Sequence, residues 1–87
     1  MEIEIDPHTI ERAGERGTSL EEIEEVIRTG HPMEARAGRL CKFKVFEFSG
    51  HWRGRYYEQK RVEVVYTVEG GAIITVTVYV FYGRWRE

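Results

Sequence analysis

The sequence predicts an α+β fold in which two N-terminal helices pack on one face of a three- to four-stranded antiparallel sheet. Helix caps and helical spacing are confined to the first thirty residues, and alternating apolar and polar residues follow in segments joined by short connections. Short connections between successive strands require antiparallel pairing. Because the 87 residues contain no linker-like stretch and no repeat, we expect a single domain, residues 1–87.

The first helix is predicted from Pro7 to Arg16. Asp6 is a good N-cap residue, Pro7 suits the first helical position, and Gly17 suits the end. The second helix is predicted from Leu20 to Thr29, because Ser19 opens a capping box and apolar residues then recur at helical spacing.

Three strands are predicted after the helices. Leu40 to Phe48 alternates, but the apolar parity swaps, which suggests a bulge near Val45. Residues 49–55 suggest a loop or irregular hairpin, and Lys60 to Val68 is strand-like again. Glu69-Gly70-Gly71 predicts a tight turn into the last strand.

The last strand should present two different faces. We expect one face under the helices and the other toward solvent or a groove. The first face comprises Ile74, Val76, Val78 and Val80, and the second comprises Thr75, Thr77, Tyr79 and Phe81.

Composition bears on location and source. The acidic N-terminus does not resemble a secretory signal, and the longest apolar stretch, residues 72–82, is too short for a membrane-spanning helix. Cys41 is the only cysteine, which favours a reducing compartment. We therefore expect a cytoplasmic protein without membrane contact. The absence of Asn and the abundance of Glu and Arg are typical of a thermophile protein.

The charges are segregated along the chain. Residues 1–35 contain ten acidic and three basic side chains, for a net charge of −7, whereas residues 36–61 contain eight basic and two acidic ones, for +6. Such asymmetry indicates a polyanionic partner for the basic half, unless folding brings the two halves together and neutralises them.

One helix stripe carries chemically useful groups. His8, Arg12 and Arg16 are four residues apart and therefore lie along one side of the first helix. Histidine titrates near neutrality and guanidinium matches phosphate geometry, as proton transfer on a phosphodiester requires. The alternative is an ordinary helix face with ion pairs to Glu11 and Glu15.

Residues 52–61 form a basic-aromatic segment, in which aromatic and basic side chains are interleaved. Cations can hold phosphates and aromatic rings can stack on unpaired bases, as in single-stranded RNA binders. Equally, the aromatics could cover a sheet edge whose charges keep it soluble. The candidate RNA-binding residues are Lys42, Lys44, Trp52, Arg53, Arg55, Tyr56, Lys60 and Arg61.

The sequence gives little support for a metal or cofactor. His8, His31 and His51 are scattered, one cysteine cannot build a thiolate site, and neither a phosphate-binding loop nor a dinucleotide fingerprint occurs. We expect no cofactor and no metal, and a buried structural role for Cys41.

A family resemblance extends over most of the chain. The run from His8 through Arg12, Arg16-Gly17-Thr18-Ser19 and Glu22-Ile23 to Val26-Ile27 resembles the signature of the bacterial and archaeal domain of unknown function 4258. That family is similar to the RelE- and BrnT-like toxins of toxin–antitoxin systems. The strand from Ile73 to Tyr79 is similar to the closing strand of the family.

This resemblance implies a RelE-like, RNase-like toxin fold and metal-independent cleavage of RNA through its 2′-hydroxyl. His8, Arg12, Arg16 and Tyr79 occupy matched motif positions and become the candidate catalytic residues. Lys60 and Arg61 are added on charge and placement alone.

Two functions remain open. The first is an endoribonuclease, the toxin half of a pair, which would have RNA and a cognate antitoxin as partners. The second is a non-catalytic RNA- or protein-binding module of the same fold. The sequence leaves both a monomer and a homodimer open.

Overall fold

The computed structural model describes residues 1–35 and 37–85, so Arg36, at the start of the basic stretch, lies outside the described residues. Its five strands form one sheet in the order β1-β5-β4-β3-β2. In chain order the elements are β1 (Glu2–Glu4), α1 (Pro7–Arg16), α2 (Leu20–Thr29), β2 (His31–Met33), β3 (Leu40–Trp52), β4 (Arg55–Glu69) and β5 (Ala72–Gly83).

Both predicted helices are confirmed with their bounds. The Asp6 side chain caps α1 by accepting a hydrogen bond from Thr9 N at 2.9 Å, and Gly17 ends the helix in the left-handed region at φ +83°. The Ser19 hydroxyl caps α2 by accepting from Glu22 N at 3.2 Å. These caps bind backbone groups that a helix leaves unsatisfied at its ends.

The predicted three- to four-stranded antiparallel sheet is wrong, because the sheet has five strands and is mixed. β1 pairs with β5 in parallel, with Ile3 opposite Ile73. β2 pairs with β3 antiparallel, with Pro32 opposite Lys42. Both additional strands are three residues long, which is too short for an alternating pattern to be recognised.

The predicted bulge near Val45 is also wrong. Val45 pairs regularly with Arg61, and the β3–β4 register shifts between Glu47 and Gly50 instead. The apolar parity swaps because Lys42 and Lys44 bind α2. They therefore occupy helix-side positions that would otherwise hold apolar residues.

Of the two predictions for residues 49–55, a loop or an irregular hairpin, the irregular hairpin is confirmed, with a two-residue turn and the register shift between Glu47 and Gly50. β3 continues to Trp52 and β4 begins at Arg55. Arg53 and Gly54 both have positive φ, +51° and +85°. This conformation fits the right-handed twist of a two-residue hairpin.

The predicted helix-side face of β5 is correct at Val78 and Val80 and wrong at Ile74 and Val76. Val78 is fully buried and Val80 packs against the core, as expected. However, Val65 pairs with Thr77 and Tyr66 with Thr75, which leaves Val76 as an extra residue. Ile73 and Thr75 therefore face the helices in place of Ile74 and Val76.

The core lies between the helices and one face of the sheet. Its seven buried apolar residues are Ala13, Ile23, Val26, Ile27, Val62, Val64 and Val78. Two buried hydroxyls join α1 to β5, where Thr75 Oγ1 donates to Thr9 Oγ1 at 2.9 Å. The hydrogen bond offsets the cost of burying these polar groups.

Gly17 offers a test of this packing. A Cβ at this position would overlap Tyr82 Oη and approach the Trp52 ring at 2.8 Å, and φ is unfavourable for other residues. We expect Gly17→Ala to lower the free energy of unfolding by roughly 2 kcal/mol. The matched control Gly14→Ala, in open space within α1, should raise it by about 0.5–1 kcal/mol. Urea unfolding measures both values, and equal stability of the two variants would contradict the packing described.

Asp6 offers a test by pH. Burial raises the pKa of its carboxyl, but hydrogen bonds from Thr9 and Thr75 and the charge of His8 outweigh it, so the net pKa lies below the ordinary 3.8. A lowered pKa adds stability above the unfolded-state pKa, and that stability is lost as pH falls through the folded value. Asp6→Asn should therefore be less stable than the parent at neutral pH, with the difference closing as the pH falls through this lowered pKa. Urea unfolding at neutral pH and over an acid series checks this, and a constant difference would contradict it.

Candidate functional site

The histidine–arginine stripe of α1 is only partly available for chemistry. His8 is exposed. Arg12 Nη1 pairs with Glu11 at 3.2 Å and with Glu15 at 2.8 Å, which are the ion pairs of the alternative interpretation. Exposed pairs of this kind are weak and exchange readily with solvent, so Arg12 can still meet an anion.

Arg16 and Tyr79 are brought together by the fold. Arg16 Nη1 donates to Val78 O at 2.6 Å, and its guanidinium carbon lies 5.2 Å from the centre of the Tyr79 ring. β1 covers β5 only from Ala72 to Ile74, so within the described residues Arg16 binds a part of β5 that has no strand on that side. One residue from the N-terminal motif and one from the closing-strand motif thus meet at one sheet edge.

The backbone of Arg16 is held in place by Tyr82 of β5. Tyr82 Oη donates to Arg16 O at 2.7 Å. Burial and the Glu22 carboxylate raise the pKa of Tyr82 above its ordinary 10.0, although Arg53 opposes them. The phenol therefore stays protonated and can donate this hydrogen bond throughout the physiological range.

Tyr79 belongs to the open face, which we define as the sheet side turned away from the helices. Its members alternate along the strands with the buried Val62, Val64 and Val78. The register arranges them in three rows across the sheet: Met33, Cys41, Val65 and Thr77; His31, Phe43, Glu63 and Tyr79; and Val45, Arg61 and Phe81.

Arg61 lies at the centre of the open face. Its guanidinium carbon is 3.8 Å from the centre of the Phe43 ring, and Nε donates to Glu63 at 2.9 Å. The Arg61 and Glu63 side chains keep only 24 % and 16 % of their exposure. Partial burial strengthens both the ion pair and the cation–π contact relative to water.

A concave groove of about 1010 Å³ borders this centre. Phe43 and Trp85 supply aromatic walls, and Lys44, Arg61 and Glu47 supply charge. A second, smaller depression reaches Tyr79 past Cys41 and Glu63. Burial and Glu63 raise the pKa of the Cys41 thiol, with Arg61 opposing, so Cys41 is a poor nucleophile and packs as predicted.

Lys42 and Lys44 are both bound by α2, although Lys44 also lines the groove with Arg61. Lys42 Nζ donates to Ile27 O at 2.8 Å, and Lys44 Nζ pairs with Glu25 at 2.6 Å and donates to Thr29 Oγ1 at 2.8 Å. Both ammonium groups satisfy the C-terminal part of α2, where the helix dipole favours positive charge.

Trp52, Arg53 and Lys60 lie against the turn between α1 and α2. Trp52 stacks on Tyr82 with ring centres 5.0 Å apart, and Arg53 lies over the Trp52 ring at 5.3 Å. Lys60 is 7 % exposed and pairs with Glu22 at 2.7 Å. A cation so covered cannot reach a phosphate without local unfolding.

Arg55 and Tyr56 lie beside the turn of the β3–β4 hairpin. Tyr56 is 56 % exposed, and its ring centre is 5.6 Å from that of His51. Arg55 lies over the Tyr57 ring at 5.9 Å. The predicted RNA-binding residues are therefore divided among four places: the C-terminal part of α2, the α1–α2 turn, this hairpin and the open face.

Sequence reasoning missed Phe43, Glu63 and Phe81 as candidate site residues. Phe43 and Glu63 flank or contact Arg61, and Phe81 is 48 % exposed two positions after Tyr79. The alternation of β5 had already placed Phe81 with Tyr79. The register between strands was needed to place β3 and β4 residues beside them. The sequence of a single strand does not determine that register.

No family model, curated protein or solved structure matches the chain. The resemblance to the domain of unknown function 4258 therefore stays a prediction. Over residues 1–35 and 37–85, neither helix is long and apolar enough to cross a membrane. The same residues contain no group of three or more His, Cys, Asp or Glu side chains placed to hold a metal ion.

The Lys60–Glu22 pair offers a test of its structural role. Lys60→Met keeps much of the side-chain length but leaves a half-buried carboxylate unpaired, so we expect a loss of roughly 2–3 kcal/mol in unfolding free energy. Lys44→Met is the matched control, because Lys44 also pairs with a glutamate of α2 but at 31 % and 48 % exposure. It should cost below about 1 kcal/mol. Chemical denaturation compares them, and similar losses would show that Lys60 has no special role.

Proposed function

We propose that the chain is a metal-independent endoribonuclease-like protein that acts on single-stranded RNA where α1 meets β5. The supporting observation is that the Arg16 guanidinium lies 5.2 Å from the centre of the Tyr79 ring, which brings together the N-terminal motif and the closing-strand motif. Cleavage through the 2′-hydroxyl needs a proton acceptor, a proton donor and cations for the crowded phosphate.

The roles follow from exposure and chemistry. His8, exposed on the first turn of α1, is the proton-transfer group. Arg16 supplies a fixed guanidinium, since one donor is already held by Val78 O. Arg12 adds a second, more mobile cation. As His8 takes the 2′-hydroxyl proton, the 2′-oxygen bonds to phosphorus and the bond to the 5′ oxygen breaks; the hydroxyl of Tyr79, a 43 % exposed residue, donates a proton to that leaving oxygen.

A toxin–antitoxin setting is part of this proposal. The partner would be an antitoxin that covers the cationic and aromatic surface and blocks RNA. A small acidic or DNA-binding protein encoded beside this chain would support it. Co-expression with that neighbour should abolish RNA binding if the proposal holds.

The second candidate is a non-catalytic binding module of the same fold. It is favoured by one observation: the ammonium groups of Lys42, Lys44 and Lys60 all bind groups of the chain itself. Fewer cations are then left to stabilise a phosphoryl transition state than the sequence suggests.

Cleavage of labelled RNA in the presence of a chelator separates the candidates. His8→Ala should reduce cleavage by ~10²-fold or more, the scale of a lost acid–base group, with unfolding free energy changed by less than about 0.5 kcal/mol. His51→Ala is the matched control, an exposed histidine on the β3–β4 hairpin, and should cleave like the parent. Tyr79→Phe removes one hydroxyl while it keeps the ring under Arg16 and should also slow cleavage.

Two outcomes count against the catalytic proposal. If His8→Ala and Tyr79→Phe cleave like the parent, the residue assignment is wrong. If the parent binds RNA but cleaves nothing between roughly pH 5 and 9, with or without divalent metal, the binding module is the better description.

A further inference from the structure

Two exposed aromatic rings of β5 project from the open face. Tyr79 and Phe81 are 43 % and 48 % exposed, and they lie two residues apart on the open face. Alternate residues of a strand are roughly 6.8 Å apart, which is enough for a separate planar group against each ring. Exposed large aromatics side by side are characteristic of an interaction surface.

The guanidinium of Arg16 lies over the Tyr79 ring. Arg61 is paired with Phe81 across the strands, although its guanidinium lies over Phe43 on β3. The positions of the two guanidiniums are fixed by the hydrogen bond to Val78 O and by the contacts with Glu63 and Phe43. A ring for a base and a cation for the adjoining phosphate are the two components that single-stranded nucleic acid binding requires.

The half-buried Arg61–Glu63 pair argues against a protein as the occupant. A dry protein interface over the open face would have to remove the remaining water from both charges, which is costly unless new hydrogen bonds replace it. An RNA strand leaves such a surface wet and brings phosphates that arginine can bind with its remaining donors.

We propose that the open face binds unpaired nucleotides of single-stranded RNA, with bases stacked on Phe81 and Tyr79 and phosphates held by Arg61 and Arg16. This inference rests on the proposed function for its ligand class, but not on catalysis. It adds a stacking subsite at Phe81 that the catalytic assignment does not contain.

The test is fluorescence anisotropy with the full chain and a labelled single-stranded RNA decamer, in the presence of chelator. Phe81→Ala should weaken binding by about 5- to 100-fold, the range expected for one lost base stack. Phe81→Trp should bind like the parent, because it keeps an aromatic face. Val68→Ala, at a 46 % exposed site near the β4–β5 turn, is the matched control and should also bind like the parent.

Salt dependence separates stacking from charge. Stacking releases no counterion, so Phe81→Ala should keep the parent's slope of log affinity against log salt. Arg61→Gln should reduce that slope by about 0.7, the value for one phosphate contact on a single strand. If Phe81→Ala has lost its near-ultraviolet circular dichroism, Phe81→Leu replaces it as an apolar side chain without a stacking face.

The outcomes are distinct from those of the proposed function. Binding that depends on Phe81 without any cleavage supports this inference and overturns only catalysis. Parent-like binding by both Phe81→Ala and Phe81→Leu overturns the inference, as does a parent that binds no RNA. A parent dimer that Phe81→Ala dissociates in sedimentation would show a second copy on the open face and also overturn it.

Discussion

The turn between α1 and α2 is the point on which the helices, the long strands and the candidate site all depend. Gly17 O accepts from Lys60 Nζ at 2.8 Å, and Lys60 also pairs with Glu22, which accepts from Thr18 at 2.8 Å. Tyr82 bonds the last residue of α1 from β5. One ammonium and one phenol thus tie β4 and β5 to both helices, and because Arg16 ends α1, the same contacts set where its guanidinium meets Tyr79.

The sequence was sufficient wherever structure depends on neighbouring residues. Asp6, Gly17 and Ser19 specify helix ends through local caps, so α1 and α2 could be predicted to the residue. β1 could not, because it pairs in parallel with Ala72–Ile74 at the far end of the chain. The extra residue at Val76 is likewise a property of the β4–β5 pair, and it exchanges Val76 for Thr75 on the helix side.

The candidate site was predicted in its residue types more than in its arrangement. Arg16 and Tyr79 are together, but Arg12 has the ion pairs of the alternative interpretation, and Lys60 is buried. Sequence position could not distinguish Lys60 from Arg61, although adjacent strand residues point to opposite faces and only Arg61 reaches the open one. Which face carries the helices is decided by tertiary packing.

The segregated charges of the sequence are largely used within the fold. All three lysines contact α2 or the turn before it, through Ile27 O, Glu25 and Glu22. Over residues 1–35 and 37–85, four guanidiniums lie over the rings of Tyr79, Trp52, Tyr57 and Phe43. The ammonium groups of Lys44 and Lys60 also lie 5.9 and 5.7 Å from the centres of the Phe46 and Phe48 rings. A compact ammonium suits carboxylates and helix carbonyls, whereas a planar guanidinium can stack and still donate from its edge. Lysine therefore joins the acidic helices to the basic strands. Arginine, whether stacked on a ring or held in an exposed ion pair as Arg12 is, can still donate to a polyanion.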